Sequence, residues 1–123
     1  MQEANVWVEF AQRDFEAAKD LWPKHFTATC FHLQQTWEKC LKAVLIARGE
    51  GLEKTHHIRH LATRARAPNN WSDYYEMLSQ FYILTRYPTS AKETLEEQYT
   101  AQEVDALIKT TKEVLTWTKQ QLA

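Results

Sequence analysis

The residues best suited to chemistry sit at a helix stop. Arg86, Tyr87 and Pro88 interrupt an apolar helical pattern, and mostly polar residues follow until the pattern resumes at Tyr99. Pro88 has no amide hydrogen and pushes the residue before it out of the helical region. The helix is therefore expected to finish near Arg86, with Tyr87 splayed at its end. A guanidinium there can satisfy the last carbonyls and complement the helix dipole. It can also grip phosphate through its planar fork while the neighbouring ring stacks on a base, which is chemistry suited to a nucleotide. Helices in bundles are usually joined by roughly 2–8 residues, and longer irregular connections are commonly functional or disordered.

Two polar residues fall on apolar stripes. Asp14 shares a stripe with Trp7, Phe10, Ala11 and Ala18, and Gln34 lies among Cys30, Leu33, Trp37 and Leu41. A buried carboxylate must be paired or hydrogen-bonded. Either both residues reach water at the edge of the apolar arc, or they line a polar cleft with Arg86. The second alternative predicts that Asp14 or Gln34 lies within direct or water-bridged reach of Arg86. Glu38 and Lys42 read as an i,i+4 pair on a more polar face with Gln35.

Other constellations carry less chemistry. His56 and His60 have zinc-compatible spacing, but Ile58-Arg59 after His57 stands where the glutamate of an HExxH motif would be. The bare alternative is an exposed basic helix face, and no metal is expected. Cys30 and Cys40, ten residues apart on one continuous helix, would be about 15 Å apart along its axis, too far for a disulfide. They read as reduced thiols of a cytosolic protein without thiol catalysis. No Gly-rich phosphate loop is present.

The elements that must hold these residues are helices. One runs from about Asn5, a plausible N-cap, to Trp22 before Pro23. A second runs from about Thr27 to Arg48 and stops at Gly49. Thr55 is placed to cap a short helix through His56, Ile58, Leu61 and Ala65, and Ser72 another that ends at Arg86. Thr100-Ala-Gln-Glu103 is a capping box flanked by the staple positions Tyr99 and Val104, opening a helix to the C-terminus. Trp71, after Ala67-Pro68-Asn69-Asn70, reads as a possible exposed interface residue. No segment alternates like a strand. The expected fold is all-α, an up-down bundle of four or five helices forming one domain over residues 1–123.

Composition agrees. The chain is 44% apolar and 25% charged, with two glycines and three prolines, which suits long helices better than strands and turns. A formal charge of −1 gives no whole-molecule attraction to nucleic acid or acidic lipid. The basic stretch from Lys54 to Arg66 and the acidic one from Glu93 to Asp105 read most simply as solvated surfaces of opposite sign. No apolar run approaches a membrane span and no signal pattern opens the chain, so a cytoplasmic protein is expected.

Four motifs in order then carry a resemblance: Ala11, Asp14 and Ala18; CFHLQQTWEKCLKAVL from Cys30 to Leu45; Lys54-Thr55-His56; and Arg86-Tyr87-Pro88. Together they resemble the HEPN domains of prokaryotes and higher eukaryotes, in the branch carrying the Arg-Tyr-Pro motif. The C-terminal HEPN domain of sacsin is similar around that motif. The resemblance implies an up-down helical bundle, commonly homodimeric, that binds a nucleotide such as ATP or GTP. It also implies a minimal nucleotidyltransferase as partner, often in a toxin–antitoxin couple. Arg86 would contact phosphate and Tyr87 would shape or stack the pocket. Gln34, Gln35 and Lys39 would supply donors, with Asp14 orienting Arg86 and Lys54 and His56 facing the cleft. Ribonuclease members carry the arginine, then four to six residues, then a histidine; here Ala91, Lys92 and Glu93 stand where that histidine would fall, and no histidine follows. The motif therefore reads as a binding version of the site, without catalytic residues, and RNA is the less favoured partner.

Overall fold

The computed structural model describes residues 2–87 and 93–123, and Pro88 lies outside them. The regular structure of the described residues is all helical, with no strand. They form α1 (Gln2–Leu21), α2 (Phe26–Ala47), α3 (Ile58–Ala65), α4 (Tyr75–Arg86), α5 (Leu95–Gln98) and α6 (Ala101–Leu122), with a 3-10 segment at Asn69–Tyr74 before α4. That is six helices among the described residues rather than four or five.

The fold is arranged around α2, which packs against α1, α3, α4, α5 and α6. Fourteen of its 22 residues are buried, so its second half is covered nearly all round, as a central helix must be. α1 lies along it through Ala4, Val8, Ala11, Phe15 and Ala18. The alanines on that stripe let the two helices approach closely. α6, which packs on both α1 and α2, supplies Val104, Leu107, Val114 and Leu115. The Trp37 indole N–H donates to Thr111 across the buried α2–α6 contact at 2.8 Å. Trp37, Phe81, Leu33 and Leu78 are fully enclosed, each contributing about 1.5–3 kcal/mol of apolar burial.

The start of α6 forms as expected: Thr100 and Glu103 exchange side-chain-to-backbone bonds at 2.9 and 3.1 Å, and Tyr99 packs edge-on against Phe81. α2 ends at Ala47, and Gly49, just past the C-cap residue Arg48, has a φ of +77° that suits a residue without Cβ. Other boundaries differ. α1 begins at Gln2, ahead of Asn5. α3 begins after His57, whose ring accepts from the His60 amide at 3.2 Å, while Thr55 serves one step earlier by accepting from the His57 amide. Ser72 sits inside the 3-10 segment. Trp71 is buried, not exposed, at 4%, because that segment folds it against Trp37 and Trp117. The polar stretch after Arg86 contains α5, which Leu95 anchors in the core.

Candidate functional site

α4 stops at Arg86, and Tyr87 leaves the helix with φ −128° and ψ 72°, as the stop motif requires. α1 and α4 both pack on α2 but hardly touch each other. A strip of α2 carrying the half-buried Phe31, Gln35 and Lys39 lies open between them.

On the α4 side of that strip the Arg86 guanidinium lies over two rings, 4.0 Å from the centroid of Tyr82 and 5.0 Å from that of Phe31. One nitrogen donates to the Tyr82 carbonyl at 3.2 Å, the helix-end role that cations there commonly take. Among the described residues no carboxylate lies within ion-pair distance of it. The charge is thus held by aromatic faces and left uncompensated, which favours an incoming anion.

Tyr82 is shared. The His56 imidazole stacks on it with centroids 4.6 Å apart and planes 20° from parallel. Nδ1 of His56 lies 3.0 Å from both oxygens of Glu38. A nitrogen facing a carboxylate must carry the proton, so Nε2 is the nitrogen left for other partners. Beside this stack a pocket of about 300 Å³ is lined by His56, His57, Ser79, Tyr82 and Ile83.

Behind the imidazole is a buried polar chain. Gln35 donates to Gln34 at 2.8 Å and Gln34 to Glu38 at 2.9 Å. Lys42 donates to Glu38 at 2.9 Å, with both side chains under a tenth exposed. Burial alone would raise the Glu38 carboxyl, but the hydrogen bonds from Lys42, Gln34 and His56 and the Lys42 charge outweigh it and hold the group below its usual range. Glu38 and Lys42 are therefore an interior pair, not members of a solvated face.

Gln34 is fully buried and Asp14 nearly so, as their stripes predict. Neither makes a direct hydrogen bond to Arg86. Asp14 accepts from Lys39 at 2.5 Å and meets Nδ1 of His32 at 2.8 Å. The reason is topological: Asp14 comes from α1 and reaches the near edge of the α2 strip, while Arg86 packs on the far edge. In place of a direct contact with Arg86, Asp14 grips Lys39, whose ammonium also lies 5.9 Å from the Phe10 ring.

The structure gathers Arg86, Gln34, Gln35 and His56 through shared neighbours. Lys54 is exposed and bonded to none of them, and Tyr87 is 56% exposed at the rim. The basic stretch is partly neutralised, since Arg64 pairs with Glu50 and Glu53, and His60 with Glu53. Among the described residues no cluster of three metal-ligating side chains forms.

Sequence reasoning missed the part played by Tyr82, Phe31, Glu38 and His32. Tyr82 was available from spacing, being one helical turn before Arg86 on the same face.

The family model of the HEPN domain matches residues 4–121. The chain is 27% identical over 127 residues to the Methanocaldococcus jannaschii protein named "Putative toxin MJ1304", covering 91% of this chain and 83% of that one. Among solved structures, TT1696 from Thermus thermophilus superposes with a TM-score of 0.83 at 25% identity, covering 99% of this chain and all of the other. ST0689, an archaeal HEPN homologue, does so at 0.78 and 29% identity, with 98% of both chains covered. The chain belongs to the HEPN domain family.

Proposed function

We propose that this HEPN domain binds a nucleotide on the strip between α1 and α4, without catalysing a reaction itself. The observation that carries this reading is the Arg86 guanidinium, stacked on Tyr82 and Phe31 with no carboxylate partner among the described residues. It would take a phosphate. The pocket beside Tyr82 and His56 would take the planar base, with His56 Nε2 reaching a polar atom of the ligand. Gln35 stands on the same strip as a donor, Tyr87 closes the rim, and Lys54 adds charge at the end of the site.

Two copies of the chain would meet over this strip. The exposed large apolar residues among those described are Val6 and Phe10 on α1, Ile83 on α4, Tyr87, and Leu52 ahead of His56. Val6, Phe10 and Ile83 stand on the two helices that frame the strip, and Tyr87 directly follows the second. A minimal nucleotidyltransferase is the proposed partner, in a toxin–antitoxin arrangement; the name of the archaeal relative supports the toxin side of that couple. The cytoplasm is the proposed setting. The test is thermal unfolding with and without ATP and GTP. Ligand that binds only the folded state raises the midpoint by mass action, so a midpoint unmoved by either nucleotide at millimolar concentration would contradict the reading.

One observation favours a second reading, a ribonuclease toxin. Glu38 holds the His56 imidazole on the ring that also carries Arg86, and in this reading the imidazole would supply acid–base capacity beside a cation that takes phosphate. Incubation with RNA and excess chelator separates the two readings. Cleavage that disappears in both Arg86→Ala and His56→Ala would favour the enzyme, and intact RNA favours the binding module.

A further inference from the structure

A second pocket, of about 380 Å³, lies between the 3-10 segment and the outer side of α6, and shares no lining residue with the Arg86 site. Its wall is an aromatic corner, Trp71 against Trp117, edge to face at 5.5 Å. Its rim includes Lys109, Lys112, Glu113 and Gln120. Trp71 is 4% exposed, and among the described residues its indole N–H is the one buried side-chain polar atom with no hydrogen-bond partner. Buried donors are nearly always paired, and an orphan is costly to keep. Lys109 and Lys112 lie on one side of α6, and neither pairs with a carboxylate of the described residues.

The charges narrow the ligand. Two ammonium groups beside one carboxylate, Glu113, leave a single positive charge, which matches a monoanion better than a polyphosphate. No arginine fork lines the pocket, so the bidentate phosphate grip is missing. The two indoles ask for an apolar body, and the orphaned N–H asks for an oxygen acceptor.

We propose that this pocket binds a carboxylate carried on a planar or branched apolar body. The apolar part fills the indole corner and the carboxylate lies between Lys109 and Lys112. An oxygen of the ligand accepts the Trp71 N–H once the exposed rim side chains part. Such a group reaches the pocket either as a free aromatic acid or as the C-terminal residue of a peptide. The inference stands apart from the nucleotide reading.

The direct test follows the five tryptophan indole N–H resonances in a ¹⁵N-labelled sample, with Trp71 assigned by its loss in Trp71→Phe. The probes are phenylacetate, a hexapeptide ending in phenylalanine, and the same peptide amidated. The expected result is a saturable downfield movement of the Trp71 resonance with phenylacetate or the free-acid peptide, but not the amidated one. Affinity should fall about tenfold or more in Lys109→Gln/Lys112→Gln and stay unchanged in Arg86→Ala. A response to phenylacetate alone assigns a small acid, and a response to the free-acid peptide assigns a chain terminus. The proposal is overturned if the resonance stays fixed to about 10 mM of every probe, at the upfield position of an N–H aimed at a neighbouring ring face. Equal binding by the lysine double variant overturns it as well.

Discussion

At the residue scale the site depends on one buried charge pair. Lys42 and Glu38 are under a tenth exposed, and each is tolerable only because the other is present. Removing one partner of such a pair costs about 3–5 kcal/mol, whereas replacing both with apolar groups of similar volume is often neutral. Glu38→Ala is therefore expected to unfold at clearly lower denaturant, and Glu38→Met/Lys42→Met to recover most of the loss, read from urea melts. The pH dependence follows from the same carboxylate. Its folded-state pKa is held below the ordinary value, so its contribution is present above the unfolded-state pKa of about 4.3. It is lost as pH falls through the lower folded value. Melting temperature from pH 6 to pH 2 should drop less steeply in the double variant than in the wild type. The inward position of Gln34 was legible from its stripe. The burial of Glu38 and Lys42 was not, because i,i+4 spacing says that two side chains meet and not which helix covers them.

At the element scale, the signals that worked are those complete within a few residues. The capping box at Thr100 needs only Glu103 to close it, and Gly49 needs only its own φ. Thr100→Ala is expected to cost about 1 kcal/mol, measurable as a lowered urea midpoint with unchanged slope. Helices α3 and α5 were less legible. The cap of α3 is a histidine nitrogen, a weaker signature than the threonine two residues earlier, and α5 is held by one buried leucine in a polar stretch. The thiols of Cys30 and Cys40 are both pushed up to about 12, chiefly by burial in the core face of α2. Native protein should react with Ellman's reagent (DTNB) only as fast as it unfolds, and denatured protein at once. Rapid labelling of either thiol in the folded state would contradict that placement.

At the scale of the whole molecule, one central helix explains both the core and the site. Because α1 and α4 flank α2 without joining, part of α2 stays open, and the polar residues along it gain a shared surface. The all-α bundle was legible from periodicity, and the Arg86 helix end from the proline. Which side of α2 each wall occupies was not, so Asp14 was paired in expectation with Arg86 and in fact grips Lys39. The proposed dimer covers this face. Sedimentation equilibrium should give twice the 14.5 kDa chain mass for the wild type, and the single mass for Phe10→Ser/Ile83→Ser. Monomeric wild type at tens of micromolar would remove the dimer and leave the pocket. No helix among the described residues is long and apolar enough to cross a membrane.

The central claim is that a guanidinium held on aromatic rings at the end of α4 receives a nucleotide phosphate. Titration calorimetry with ATP and GTP, wild type against Arg86→Ala and Arg86→Lys, tests it most directly. The expected result is saturable binding by the wild type. Arg86→Ala should bind at least about tenfold more weakly, a loss of about 1.4 kcal/mol, and Arg86→Lys should fall between them because a lysine keeps the charge without the planar fork. Equal affinity in all three proteins, or no heat from the wild type with either nucleotide, would contradict it.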